Sequence, residues 1–206
     1  MDPGDFTRDF FMTEHSILDA TYWSNRYQSN ETGWDLGAVS PALKAYIDQL
    51  TNKEIRILIP GAGRAYEAEY LFRQGFTNVH VIDFVAEPLV ELKNRCPQFP
   101  ENQLHVGDFF DFIGHFDLIL EQTLFCALDP NSRNDYAQKC AELLKEGGIL
   151  AGLLFNRSFD SGPPFGGNKE EYLTIFSPYF SKIKMDECYN SLPARAGSEL
   201  FVILRK

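Results

Sequence analysis

The sequence predicts an α/β fold: a mostly parallel sheet of seven strands, with helices on both faces and an antiparallel hairpin at its C-terminal end. Three observations indicate this fold. Short apolar runs alternate with amphipathic stretches over residues 55–155, as in βαβ units. A glycine turn at Gly61–Gly63 joins the first of these strands to its helix. Two strand-like runs, 180–191 and 198–205, then follow each other without a helix, so they should pair antiparallel.

The individual elements follow from the apolar runs and their boundaries. The parallel strands are predicted at residues 55–60, 79–83, 103–106, 116–121 and 149–155. Helices are predicted at residues 65–74, 87–95, 131–145 and 169–176. We expect the third of these helices to end at Gly147 and Gly148, because glycine commonly follows the last turn of a helix. Five parallel strands with a terminal hairpin are the ground plan of the class I methyltransferases, a Rossmann-like fold.

The N-terminal quarter of the chain differs from the rest. Residues 1–54 carry both tryptophans and an acidic bias, and residues 41–50 show helical periodicity. We therefore expect an N-terminal helical cap, 1–54, on a Rossmann-like core, 55–206. Because one domain is usual at this length, residues 1–206 are predicted to form a single domain.

Composition and charge exclude several classes of protein. The 206 residues are 44% hydrophobic and carry 19 basic against 29 acidic residues, a net charge of −10. Such a chain can bury a core, and its carboxylates would repel nucleic acid and anionic membranes, so we expect a small-molecule partner. There is no signal-peptide pattern and no run of eighteen apolar residues, which predicts a cytoplasmic protein. Without heptads, a monomer is expected.

Cysteine and histidine spacing gives no metal site. The four cysteines lack CxxC spacing, and the four histidines lack ligand spacing, so we expect reduced thiols and no metal. Cys126 lies in an apolar run and is predicted to be an inert buried thiol.

The most informative motif is the glycine turn and the acidic residue that follows it. Gly61 and Gly63 would let the backbone approach a ligand, and the N–H groups that open the next helix favour an anionic group. Asp83 comes 20 positions after Gly63 (83 − 63 = 20), at the end of the second predicted strand. A carboxylate there can accept hydrogen bonds from both hydroxyls of a ribose. The pattern therefore predicts a nucleoside-containing cofactor.

S-adenosylmethionine fits this turn better than a dinucleotide does. The third glycine of the GxGxxG fingerprint is missing, because Ala65 and Tyr66 follow Arg64. S-adenosylmethionine has no pyrophosphate for the turn to bind, so its binding requires fewer glycines in the turn. Just past the third strand, Asp108 offers a carboxylate to the adenine amine, with Phe109 beside the ring. A helix-capping role is the alternative for Asp108.

Four segments resemble the thiopurine S-methyltransferase family, including its plant halide and thiol methyltransferase branch. They are YWSNRYQSNETGWDLG at 22–37, LIPGAGRAYE at 58–67, FDLILEQTLFCALDP at 116–130 and GPPFGG at 162–167. The resemblance extends from about residue 22 to the C-terminus. Glycine turns occur in all class I methyltransferases, whereas the WxxR[WY], GWD and GPPF elements are particular to this family.

The resemblance implies a role for each matching position around S-adenosylmethionine. The cofactor-binding residues would be Tyr27, Trp34, Gly61, Gly63, Asp83, Asp108, Phe109 and Gln122. Glu121 and Gln122 would be the catalytic pair beside the sulfonium and the methyl acceptor. Phe165 and Pro164, in the GPPF loop, would line the acceptor pocket. Trp23 is expected to be a buried residue of the cap, since tryptophan is usually well buried.

Two departures from the family pattern bear on the acceptor. This chain has Tyr27 where the family usually has Trp, and Glu121-Gln122 where thiopurine enzymes have Asp-Arg. The missing arginine favours a thiol, sulfide or halide acceptor, methylated by in-line displacement. Two other functions stay open at this stage: a nicotinamide-dependent oxidoreductase, and a module that binds S-adenosylmethionine without turnover.

Overall fold

The computed structural model describes residues 18–206. Its strands are β1 Ile57–Pro60, β2 Val79–Asp83, β3 Leu104–Val106, β4 Phe116–Gln122, β5 Leu144–Phe155, β6 Lys182–Glu187 and β7 Glu199–Arg205. Its α-helices are α1 Ala20–Gln28, α2 Pro41–Ile47, α3 Tyr66–Arg73, α4 Glu87–Arg95, α5 Arg133–Leu143 and α6 Lys169–Phe176. No helix within residues 18–206 is both long and apolar enough to cross a bilayer.

The seven strands of the described chain form one sheet in the order β3-β2-β1-β4-β5-β7-β6. The first five strands in this order are parallel, and β7 lies antiparallel between β5 and β6. This confirms the predicted mostly parallel sheet with a C-terminal antiparallel hairpin. The strand order reverses between β1 and β4, and ligands of such sheets bind in the crevice at the carboxyl ends of the strands beside that reversal.

Apolar side chains cover both faces of the sheet. One cluster joins the sheet to α2, α3 and α4 through residues such as Leu43, Leu71 and Leu92. The other joins it to α5 and α6 through residues such as Tyr136 and Phe176. Burial on both faces explains why the central strands read as continuous apolar runs rather than as alternating ones.

The end of α5 differs from the prediction. The helix ends at Leu143, and Leu144 is already extended and pairs with Phe116 of β4. Gly147 and Gly148 therefore belong to β5, where the register between β4 and β5 shifts. Gly147 has a φ of +74°, so the glycine pair accommodates an irregularity inside a strand rather than a helix end.

The N-terminal cap predicted at 1–54 is described from residue 18 onwards and contains α1 and α2. The Asp19 carboxylate accepts from the Tyr22 N–H at 2.9 Å and caps α1. None of the α1 residues is buried. Ser24 Oγ donates to the Glu87 carboxylate of α4 at 2.8 Å, and Arg195 Nη2 donates to the Trp34 carbonyl at 3.1 Å. Polar contacts thus help to hold the cap on the sheet.

Candidate active site

A cavity of about 690 Å³ lies at the carboxyl ends of the parallel strands, beneath the N-terminal cap. Its position beside the reversal of strand order is the one that open α/β sheets use for ligands. Its volume lies within the usual range for small-molecule sites, about 300 to 1,000 Å³. Of the residues predicted for the site, those that line this cavity are Tyr27, Trp34, Gly61, Gly63, Asp83, Asp108, Phe109, Gln122 and Pro164.

The glycine turn after β1 is tightly enclosed. Gly61 has a φ of +56° and Gly63 a φ of +50°, the left-handed region that favours glycine. A Cβ on Gly61 would lie 2.8 Å from Leu124 Cβ, and a Cβ on Gly63 would lie 3.3 Å from Tyr27 Oη. The backbone of the turn is therefore in close contact with the loop after β4 on one side and with the cap on the other.

We expect Gly61→Ala to weaken cofactor binding about tenfold or more, because Leu124 and the turn must move apart to admit the methyl group. The measurement is titration calorimetry with S-adenosylhomocysteine. Gly75→Ala is the matched control, since Gly75 has a φ of +88° but no atom within 4 Å of its Cβ position. It should lose about 1 kcal/mol of stability without a change in affinity. Equal affinities of the two variants would contradict the expected role of the turn.

Asp83 is fixed at the end of β2 by backbone donors. Its Oδ2 accepts from the Gly63 N–H at 2.9 Å, and its Oδ1 accepts from the Val85 N–H at 3.2 Å. Burial raises the pKa of this carboxyl, while the N–H groups of Gly63, Val85 and Phe84 oppose the rise. Asp83 thus joins the glycine turn to β2 at the wall of the cavity.

Asp108 lies at the cavity wall and also caps the short turn at 109–111. Its Oδ1 accepts from the Phe110 N–H at 2.8 Å, which is the capping role that the sequence left as an alternative. The next residue, Phe109, is buried and packs against Tyr136 with ring centroids 5.4 Å apart. The capping bond fixes the carboxylate beside an aromatic surface.

Three aromatic residues of the cap line the opposite wall. Trp34 contacts Tyr27 and Trp23 edge to face, at centroid distances of 5.7 and 5.4 Å. The prediction that Trp23 is buried in the cap is wrong, because α1 buries none of its residues and Trp23 lines the cavity. The Arg26 guanidinium lies 5.6 Å from the centroid of the Trp34 ring and also pairs with the Glu31 carboxylate at 3.4 Å.

Glu121 and Gln122, the predicted catalytic pair, face different surroundings. Successive residues of a strand point to opposite faces of the sheet. Gln122 lines the cavity, and within the described chain its Oε1 is buried without a hydrogen-bond partner. Glu121 is fully buried and does not line the cavity, which corrects its predicted position beside the reaction centre.

The Glu121 carboxyl supports the loop that follows β4. Its Oε1 accepts from the Phe125 N–H at 3.0 Å, and its Oε2 accepts from the Tyr136 hydroxyl. Burial raises its pKa to about 7 against these hydrogen bonds. Thr123 and Leu124, between Glu121 and Phe125, line the cavity, so the buried acid fixes part of the cavity wall from behind.

The GPPF loop reaches the cavity through its prolines. Pro163 and Pro164 line it, whereas Phe165 does not, which corrects the predicted pocket role of Phe165. The Phe165 ring covers Gly162, where any Cβ would collide with it. The Phe165 N–H donates to the Cys126 carbonyl at 2.6 Å, which ties the loop to the segment after β4.

No sequence motif marks a further wall of the cavity, which is formed by the end of β5 and by the connection between β6 and β7. Phe155, Arg157, Phe159 and Arg195 line the cavity there. A position at or just past the carboxyl end of a parallel strand is the available signal for the first three. Cys126 is buried as predicted but also lines the cavity, and burial raises its thiol pKa to about 12.

These residues fit S-adenosylmethionine. The glycine turn and the first N–H groups of α3 can bind its carboxylate, and the Asp83 carboxylate can bind its ribose. The buried Gln122 Oε1 can accept a hydrogen bond from a donor of the ligand.

The model of the thiopurine S-methyltransferase (TPMT) family matches residues 18–200 of the chain. The chain belongs to this family. It is therefore an S-adenosylmethionine-dependent methyltransferase, and the nicotinamide alternative is not favoured.

Individual relatives agree with the family assignment. The chain is 30% identical to the thiopurine S-methyltransferase of Vibrio cholerae (serotype O1, strain O395), over 78% of this chain and 82% of that protein. It is 28% identical to the protein named "Probable thiol methyltransferase 2" of Arabidopsis thaliana, over 94% of this chain and 88% of that protein. The solved structure of Burkholderia thailandensis 1,6-didemethyltoxoflavin-N1-methyltransferase matches with a TM-score of 0.67 and 18% identity, over 91% of this chain and 86% of that one. That likeness shows the shared fold.

Proposed function

We propose that this TPMT-family member methylates the sulfur of a small thiol, with sulfide and halide ions as further acceptors of the same soft character. The observation that supports this is the lack of a free general base in the cavity. Within the described chain no histidine lines it. The lining carboxylates are engaged: Asp35 with Arg64, and Glu67, Asp83, Asp108 and Asp129 with backbone N–H groups. A thiolate needs little help from a base, whereas a hydroxyl acceptor would need it.

The relatives' names support a sulfur acceptor. The Arabidopsis protein is named a thiol methyltransferase and the Vibrio protein a thiopurine S-methyltransferase. Gln122 replaces the arginine of the thiopurine enzymes, so a thiol outside the thiopurines fits this chain better. S-adenosylmethionine, when bound, supplies an electrophilic methyl group on a sulfonium.

The residues of the chain position the two reactants and exclude water. We propose that Gly61, Gly63 and Asp83 hold the cofactor, that Asp108 and Phe109 hold its adenine, and that Gln122 Oε1 accepts a hydrogen bond at the reaction centre. Tyr27 and Trp34 close the cavity from the cap. Aromatic faces near a sulfonium contribute about 0.5 to 2 kcal/mol of cation–π stabilisation. Alignment of nucleophile, methyl group and leaving sulfur is the main catalytic contribution of such a site.

We propose one domain, a monomer, a cytoplasmic location, and a small-molecule partner rather than nucleic acid or a membrane. The net charge of −10 supports the last of these, because it disfavours contact with polyanions.

Radiolabelled methyl transfer to a panel of alkyl thiols, hydrosulfide, iodide and a thiopurine tests the proposed function. We expect the highest kcat/KM with thiols, and a pH profile whose midpoint follows the pKa of the acceptor. Replacing one thiol by a more acidic one should move the midpoint down by the difference in their pKa values, because no protein base is being titrated. Binding of S-adenosylmethionine without transfer to any acceptor would instead favour the module without turnover.

A further inference from the structure

One cation of the cavity wall is not neutralised by the rest of the described chain. Arg26, Arg64 and Arg195 line the cavity and form ion pairs with Glu31, Asp35 and Glu199, respectively. Arg157 also lines the cavity, but within residues 18–206 its guanidinium forms no ion pair and no hydrogen bond. Among the arginines that line the cavity, Arg157 is thus the one that no carboxylate of residues 18–206 pairs with.

Arg157 is exposed where it lines the cavity, and its neighbours limit where its guanidinium can lie. Its guanidinium carbon lies 4.7 Å from the centroid of the Phe159 ring, and Phe159 contacts Phe155 edge to face at 5.0 Å. Its carbonyl accepts from the Gly167 N–H at 3.0 Å, which pins the backbone to the GPPF loop. The cation thus lies against an aromatic ring, and its N–H donors have no partner among residues 18–206.

The sheet order separates Arg157 from the cofactor end of the cavity. The glycine turn, Asp83 and Asp108 follow β1, β2 and β3, which lie on one side of β4. Arg157 follows β5, on the other side of β4, where Leu153 pairs with Gln122. An anion bound by Arg157 therefore belongs to the methyl acceptor.

We propose that the acceptor is an anionic thiol, and that Arg157 determines this specificity by pairing with a carboxylate on the acceptor. This inference rests on the proposed function. In the reaction the thiolate sulfur forms a bond to the methyl carbon, the bond from that carbon to the sulfonium breaks, and its electron pair stays on the departing sulfur. The thiol proton goes to solvent before attack, and the acceptor carboxylate is unchanged, so it serves only for recognition.

The test compares 3-mercaptopropionate with 2-mercaptoethanol as acceptors. We expect the native protein to prefer 3-mercaptopropionate, and Arg157→Gln to lower kcat/KM about tenfold for this acceptor while changing it less than twofold for 2-mercaptoethanol. Because each acceptor is compared with itself between two proteins, differences in intrinsic thiol reactivity cancel. Arg157→Glu should go further and favour the cationic 2-aminoethanethiol.

Lys184→Gln is the matched control. Lys184 lies on β6 with its side chain 69% exposed and does not line the cavity, and its replacement changes the net charge as Arg157→Gln does. It should leave both acceptors unchanged, which separates local pairing from long-range steering. The affinity for S-adenosylhomocysteine should also be the same in Arg157→Gln and in the native protein.

Three other outcomes would contradict the role of Arg157. An equal change for both thiols, or none, would overturn the role of Arg157 and leave the proposed function standing. Weaker binding of S-adenosylhomocysteine by Arg157→Gln would assign the arginine to the cofactor and also overturn the inference. Failure of the native protein to methylate any thiol would overturn the proposed function and this inference together.

Discussion

The Asp83→Ala variant should bind S-adenosylmethionine 10- to 100-fold more weakly than the native protein. The carboxylate offers acceptors to the ribose hydroxyls, and a pair of charge-assisted hydrogen bonds contributes roughly 1.5 to 3 kcal/mol. It also accepts from the Gly63 N–H at 2.9 Å, so its removal leaves that donor without its partner and loosens the glycine turn. Titration calorimetry with the cofactor or with S-adenosylhomocysteine measures the loss.

A second ligand separates the direct contact from the effect on the turn. The 2′-deoxy analogue of S-adenosylhomocysteine lacks one of the two hydroxyls proposed to meet Asp83. The native protein should bind this analogue more weakly than S-adenosylhomocysteine, and Asp83→Ala should bind the two ligands alike, as in a double-mutant cycle. If the variant keeps the full preference for the ribose, Asp83 acts on the turn alone and the ribose assignment is wrong.

Glu121→Gln should remove a large pH-dependent part of the stability of this protein. Burial raises the pKa of Glu121 from 4.5 to about 7, so the unfolded chain loses this proton at a lower pH than the folded chain does. The contribution of Glu121 to stability is therefore full below pH 4.5, is lost as the pH rises towards 7, and changes no further above that. The size of the fall from this group is about 3 kcal/mol.

Urea unfolding of the native protein and of Glu121→Gln across this pH range measures the contribution of Glu121. The difference between their unfolding free energies isolates that contribution, because the titrations of all other groups cancel. Glutamine can accept from the Phe125 N–H and donate to the Tyr136 hydroxyl, so we expect the variant to fold.

Tyr136→Phe is the companion variant. It removes a hydrogen bond that lowers the Glu121 pKa, so the decline should extend to higher pH. Parallel curves for the native protein and Glu121→Gln would contradict a buried, titrating Glu121.

Several residues predicted to bind the cofactor line the cavity because they lie at the ends of strands. Apolar runs bounded by glycine and aspartate fixed β2 at Val79–Asp83 to the residue, and the turn after β1 followed from its glycines. Once the strands are parallel, their carboxyl ends share one edge, so Gly61, Asp83 and Asp108 had to converge.

The errors arose where side-chain direction or tertiary pairing decides the outcome. The prediction places both Glu121 and Gln122 at the reaction centre, although alternation along a strand sends neighbouring side chains to opposite faces. Gly147-Gly148 has the composition of a helix end, but pairing of Leu144 with Phe116 overrides that local signal. Arg157 carries no motif, and only the folded chain shows that it lines the cavity and that no carboxylate of residues 18–206 pairs with it.

The place of β7 in the sheet has a consequence for the order in which the molecule is made. β7 follows every other described strand in the chain, yet it lies between β5 and β6 rather than at an edge. Arg195, just before β7, donates to the Trp34 carbonyl across 161 positions of sequence. During synthesis the outer side of β5 therefore stays unpaired until residues 199–205 emerge, and such an edge can pair with other chains. A nascent chain should gain the ability to bind its cofactor late, in nearly the same step that protects it from aggregation.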